Sequence, residues 1–229
     1  MDMLQLREKE IFETLKKISN AHFVVIGGYA VNAYTLPRFS VDCDIVVGDR
    51  KELEKIEKVL GKIGYVKLEI NKDSLPYHSS FLRYEKDLGN NFKASIDILI
   101  SNVIDRQTNA KFSAEWAFEN SEERALKGKT IIEEFKIRII NIDALIAMKF
   151  VSCRVPDIRD VFMLIPNAKN IRGIKEEISK RYNFENRFKK IKDKILSKKF
   201  RDDLQGVHGY IEDEIFEKHK NALLEMENV

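Results

Sequence analysis

The spacing of apolar residues divides the chain into a first part that mixes helices with strands and a second part patterned only as helix. Leu4, Leu6, Ile11, Phe12, Leu15 and Ile18 recur at roughly helical intervals among charged side chains and predict an amphipathic helix over residues 2–19, ended by Asn20. His22 to Ile26 is an apolar run of strand length that meets Gly27-Gly28, and Tyr29 to Leu36 suits a helix closed by Pro37. Residues 41–47 predict a second strand with Val41, Cys43, Ile45 and Val47 on its apolar face. A charged helix follows over 50–62, with Leu53, Ile56 and Leu60 inward and Gly61 and Gly64 to stop it. Three further strands are predicted, Tyr65–Ile70, Ser80–Tyr84 and Phe92–Ile100. In the last, Ala94, Ile96, Ile98 and Ile100 alternate with Lys93, Ser95, Asp97 and Leu99. Asp87 to Asn91 is turn material, residues 101–112 are a connection, and Ala114–Leu126 is predicted as a helix. Thr130–Ile132 and Phe135–Ile140 read as a hairpin or a sheet edge.

From Ile142 onward the pattern changes. Asp143 is placed to cap a helix running through Val151, and Pro156 and Asp157 suit the first turn of the next, which runs to Leu164. Pro166 and Gly173 separate later helices, and nothing beyond Ile174 is patterned as a strand. The expected fold is therefore α+β, with a mixed sheet and helices in residues 1–141 and a helical part in residues 142–229.

Composition narrows this picture only locally. A length of 229 residues allows one cored domain with an appendage or two small domains, and a net charge of +3 does not by itself point to nucleic acid. Residues 172–201, however, hold twelve Lys or Arg against four Asp or Glu, a local charge of +8, with Tyr182, Phe184 and Phe188 interleaved. A solvated helical surface and a contact to an RNA backbone both fit that run, and the aromatic spacing suits a core. Cys43 and Cys153 lie in apolar patterns and read as buried thiols in a reducing compartment. The four histidines are too scattered for a structural zinc site. The absence of a membrane-length apolar run and of a signal pattern makes the cytoplasm the expected location.

The chemistry lies in the second strand. Asp42 and Asp44 are two residues apart and so share one face, where like charges need water or a cation. An isolated Asp-x-Asp fits either a polar strand face or a divalent-metal site. Gly27 and Gly28 upstream would let backbone approach a phosphate, and Asp97 adds a third oxygen donor from a later strand. Three carboxylates can hold two magnesium ions, the arrangement that phosphoryl transfer from a nucleoside triphosphate uses.

These motifs resemble the nucleotidyltransferase superfamily that includes DNA polymerase β and the CCA-adding enzymes. The match lies in Ile26-Gly27-Gly28, a spacer ending at Val41, Asp42-Cys43-Asp44, and Asp97 within Ser95 to Ile100. The nearer likeness is to abortive-infection and toxin-type members. It is carried by Gly-Gly-Tyr-Ala-Val, by Arg38 and Ser40 before the Asp-x-Asp, by Asp143 to Lys149, and by Arg154-Val-Pro-Asp157-Ile-Arg-Asp160. It covers residues 20–165 and leaves the last sixty or so without a motif. The resemblance implies a nucleotidyltransferase-type mixed sheet flanked by helices, followed by a helical C-terminal part. It also implies two Mg2+ ions on Asp42, Asp44 and Asp97, and an NTP contacted by Gly27, Gly28, Arg38, Ser40 and Lys149. The expected reaction is transfer of a nucleoside monophosphate to an acceptor hydroxyl on tRNA, other RNA or protein, in a toxin–antitoxin setting with an antitoxin partner. A silent nucleotide-binding or antitoxin-like module and an antibiotic-modifying transferase are the rival readings. Arg38 and Lys149 each suit a surface position as well as a phosphate contact, and Asp160 is placed to pair with Arg154 or to orient Lys149.

Overall fold

A computed structural model describes residues 2–69, 81–133 and 135–228. The first helix, α1 (Met3–Ile18), buries Ile11, Phe12, Leu15 and Ile18, as its periodicity requires. It leads to β1 (Phe23–Ile26), whose four residues are all buried. Here α2 (Gly27–Asn32) begins on the glycine pair itself and ends four residues short of the predicted Leu36. Pro37 disfavours helical backbone at Leu36, and the chain has already left the helix at Ala33.

The strand β2 (Asp42–Val47) and the helix α3 (Arg50–Lys62) match their patterns, with Asp49 capping α3 by accepting from the Glu52 N–H at 3.0 Å. Val41 departs from its predicted place on the apolar face. It precedes the strand and is 66 % exposed, whereas Cys43 and Ile45 are fully buried.

The next strand is β3 (Val66–Lys67), and the rest of its predicted span ends at Ile70, outside the described residues, as do Ser80 and His78. A hairpin joins β4 (Phe81–Asp87) to β5 (Lys93–Ile100), closed by Leu88 N–H to Phe92 O at 2.8 Å. Gly89, Asn90 and Asn91 turn it with positive φ.

Two short strands, β6 (Asn102–Ile104) and β7 (Lys111–Ser113), form their own small sheet within the predicted connection. The helix predicted over 114–126 is half strand. After α4 (Ala114–Glu119) the chain turns into β8 (Ser121–Leu126), which pairs antiparallel with β9 (Phe135–Ile140). Its sequence, Ser-Glu-Glu-Arg-Ala-Leu, carries no strand periodicity, and long-range pairing overrides its helical propensity.

Thr130 to Ile132 forms no strand. The turn around it is held by Glu8 of α1, which is 2 % exposed and accepts from Lys129 N–H at 2.6 Å and from Thr130 N–H and Oγ1 at 2.8 and 2.6 Å. Replacing Glu8 with alanine removes the acceptor for three donors at once, and urea unfolding should show a loss of about 2 kcal/mol.

Together the strands make one seven-stranded mixed sheet in the order β3-β4-β5-β2-β1-β9-β8. The pairs β2·β5 and β1·β9 are parallel and the others antiparallel.

Six helices follow: α5 (Ile142–Ser152), α6 (Val155–Leu164), α7 (Ile171–Ser179), α8 (Phe184–Ile195), α9 (Phe200–His208) and α10 (Asp213–Leu224). Asn141, rather than the predicted Asp143, caps α5 by accepting from Ala144 N–H at 2.9 Å, while Asp143 accepts from Lys169 N–H at 2.8 Å. None of these helices, nor any other among the described residues, is long and apolar enough to cross a membrane.

Packing divides the chain into two units. The first comprises residues 1–33, 39–103 and 112–140, and the second residues 34–38, 104–111 and 141–229. The core of the first is the face of the sheet that carries Cys43, Ile45, Ile96 and Ile98, covered by α1 and α3. In the second, α5 packs against α6, α7 and α8, with Phe150 stacked on Phe184 and Phe184 on Phe188 at 5.2 and 5.6 Å between ring centroids. Phe184 and Phe188 are thus core residues, as their spacing predicts.

Candidate active site

The opposite face of the sheet collects charge. Strand alternation puts Asp42 and Asp44 on it together, and both are partly exposed. Parallel pairing of β2 with β5 sets Asp44 opposite Asp97 and Asp42 opposite Ser95, so the three carboxylates stand on neighbouring strands on one side of the sheet. Asp44 also pairs in register with Ile26 of β1, at whose end the chain enters the glycines.

Gly27 has φ of +68°, and a Cβ there would lie 2.0 Å from Oδ2 of Asp44. Only glycine lets the backbone come so close to that carboxylate. Gly28 is buried within α2, and Ser40 is half-buried just ahead of β2.

A residue that the sequence analysis passed over dominates this face. Arg83 of β4 is in register with Asp97. Its Nε donates to Asp97 Oδ1 at 2.7 Å and its Nη2 to Asp97 Oδ2 at 2.6 Å, a two-pronged contact. The same Nη2 also donates to Asp42 Oδ2 at 3.3 Å. The hydrogen bonds to Asp97 raise the guanidinium pKa further above its ordinary value. The hairpin held a signal for this pairing: a turn centred on Asn90 sets residue 83 opposite residue 97.

Oxygen donors of this kind fit a hard divalent cation. Among the described residues, though, no group of three or more His, Cys, Asp or Glu side chains is gathered as a metal-ligating cluster. Beneath the carboxylates Cys43 is fully buried, and burial first, then Asp44, Asp42 and Asp97, push its thiol pKa well up.

Arg38 and Lys149 belong to a second cluster, which lies within the second unit. Lys149 is buried and donates to Asp157 Oδ1 at 3.0 Å and pairs with Asp160 Oδ2 at 2.8 Å. Arg38 grips the same Asp160 with Nε at 3.0 Å and Nη2 at 2.8 Å. Arg154 pairs with Asp157 at 2.7 Å. Lys149 is therefore neither a surface residue nor a lone charge.

Burial opposes ionisation of all three members of this network, and pairing wins. Asp160 and Asp157 lift the Lys149 pKa. Lys149 and Arg154 bring Asp157 down to about 2, and Lys149 and Arg38 lower Asp160. Carboxylates depressed in the folded state add stability that is complete above their unfolded pKa near 4 and is lost as pH falls through the folded value. Between about pH 4 and pH 2, the Asp157 contribution of roughly 2 kcal/mol should disappear. Urea unfolding across that range should show a flatter pH dependence for Asp157→Asn than for the natural chain.

A family model described as nucleotidyl transferase AbiEii toxin, type IV TA system, matches residues 12–222, reaching well beyond the motifs at 20–165. No curated protein matches the chain in sequence. Among solved structures, the chain is similar to MenT4, a nucleotidyltransferase toxin from Mycobacterium tuberculosis, with 11 % identity and a TM-score of 0.63 over 99 % of this chain and 85 % of that one. It is similar to ANT(2")-Ia, solved in complex with adenylyl-2"-tobramycin, with 14 % identity and a TM-score of 0.52 over 80 % of this chain and 99 % of that one. A putative nucleotidyltransferase from Helicobacter pylori gives 16 % identity and a TM-score of 0.51 over 100 % of this chain and 96 % of that one. At these identities the likenesses speak to the fold, a mixed sheet flanked by helices with further helices after it.

Proposed function

The chain belongs to the AbiEii family of nucleotidyl transferase toxins of type IV toxin–antitoxin systems, and from that premise we propose that it is a magnesium-dependent nucleotidyltransferase that moves a nucleoside monophosphate from an NTP to an acceptor hydroxyl. The observation that carries this reading is the register that sets Asp44 opposite Asp97, with Asp42 on the same face and Gly27 against Asp44. Asp42, Asp44 and Asp97 would hold two Mg2+ ions, which when bound supply charge neutralisation for the triphosphate and the departing pyrophosphate.

The chain's own groups do the rest. The Gly27-Gly28 backbone, which comes up against Asp44, would contact the triphosphate beside the carboxylates. Asp97, the most buried of the three acids, orients the acceptor hydroxyl and takes its proton as the oxygen bonds to the α-phosphorus. The bond from the α-phosphorus to the bridging oxygen breaks, and pyrophosphate leaves with the electron pair.

We assign this chemistry to residues 1–141 and acceptor recognition to residues 142–229. Arg38 and Lys149 then act through the Asp160 network, with Ser40 near the nucleotide. RNA, with tRNA foremost, is the acceptor favoured here. Lys189, Lys190, Lys198 and Lys199 are exposed and make no ion pair among the described residues, which suits a phosphate backbone better than a small sugar. The family further suggests an antitoxin partner and a cytoplasmic setting.

The test is to incubate the protein with each α-32P-labelled NTP, Mg2+ and a cell extract, and then to separate RNA, protein and small molecules. Label in RNA supports the reading. Label confined to small molecules would replace the acceptor, and no label in any fraction would favour a silent nucleotide-binding module.

A further inference from the structure

We propose that Arg83 is the internal counter-cation of the Asp42–Asp97 pair, a positioning residue that competes with divalent metal for their oxygens and so sets how tightly the metal is held. The inference rests on the reading of the carboxylate face given above.

Its basis is the two-pronged contact of Arg83 with both oxygens of Asp97, at 2.7 and 2.6 Å, together with the 3.3 Å reach to Asp42. The Asp97 side chain is only 5 % exposed, so the guanidinium takes up much of what that carboxylate can offer. A metal ion would need the same lone pairs at a shorter distance. A guanidinium so close to those oxygens repels a second cation placed on them, in keeping with the lack of a ready metal-ligating cluster among the described residues.

Arginine does not lose its proton at accessible pH. The guanidinium must therefore leave as a cation. The fold permits this: the Arg83 side chain is 34 % exposed, while its backbone is fixed by the long β4–β5 ladder, so it can swing into solvent without disturbing the strands. Nor is it needed elsewhere on the face, because its neighbour Glu85 is already paired with Lys93 at 2.6 Å. In the metal-free protein Arg83 relieves repulsion among the three acids and holds the Asp97 carboxylate in place. Its cost is a lower affinity for the metal.

Binding of Mn2+ to the full chain, followed by electron paramagnetic resonance without nucleotide, tests this directly. Arg83→Gln should bind Mn2+ about tenfold more tightly than the natural chain, the scale of removing one like charge from beside a half-exposed site. Equal or weaker binding by a folded Arg83→Gln protein overturns the inference. If that variant does not fold, Arg83→Met gives the same comparison, because it removes the cation and keeps much of the side chain's length: tighter Mn2+ supports the inference, and equal or weaker Mn2+ overturns it. The double variant Asp42→Asn, Asp44→Asn separates this failure from that of the underlying reading. If no protein shows Mn2+ binding that the double variant abolishes, the carboxylate face is not a metal site, and both readings fall.

Discussion

Replacing Asp42 and Asp44 together with asparagine will lower nucleotide transfer by roughly a thousandfold or more while leaving the fold intact, because the loss of metal-borne charge stabilisation is worth several kcal/mol in the transition state. The substitution is nearly isosteric, and both side chains are partly exposed, so little packing is at stake. Two like charges leave a face that keeps Asp97 and its Arg83 partner. Removing mutual repulsion should leave thermal stability unchanged to within about 1 kcal/mol. Initial rates of label transfer and a thermal melt, measured side by side, check both halves. Transfer within tenfold of the natural chain would show that these carboxylates do not carry the reaction.

Asp160→Ala has the largest expected effect on stability, about 3 kcal/mol, with the melting temperature falling by roughly 10 °C. Asp160 is 1 % exposed and holds both Lys149 and Arg38. Its removal leaves the buried ammonium of Lys149 with Asp157 alone and frees the Arg38 guanidinium from its two-pronged partner. Breaking one member of a buried ionic network costs far more than the intact network contributes, because the remaining charge stays away from water. Arg154→Ala is the control. Its side chain is 61 % exposed, and its loss should cost no more than about 1 kcal/mol. Equal effects of the two substitutions on the urea midpoint would mean that the network does not stabilise the second unit through Asp160.

How much of this was legible in the chain depended on how local the determinant was. Alternation alone placed Asp42 with Asp44 and aligned Asp97 with Ser95, because a period of two is a property of each strand by itself. The patterns of α1, α3 and β5 were legible for the same reason, since each carries its own periodicity of apolar residues. The strand at 121–126 was not, because its reason for being a strand is β9, which pairs with it after a reversal of the chain. Arg83 fell between these cases. Its partner could be counted across the turn at residues 88–92, but the charged alternation of β4 reads as an ordinary solvated face until that count is made. The surface reading of Lys149 fails because two acids eight and eleven residues later fold back onto it. A helix-by-helix reading does not bring them together, although Asp160 had been placed as a residue to orient it.

The segment 34–38 has a consequence for how such a protein can be inherited. Arg38 is encoded between the glycine pair and the Asp-x-Asp strand, yet its partner is Asp160. A gene broken anywhere between those two codons separates an arginine from the acid that holds it. The helical half therefore cannot be swapped for another by a single crossover without also matching this pair. Among descendants of one ancestral gene, a charge change at 38 should be accompanied by one at 160.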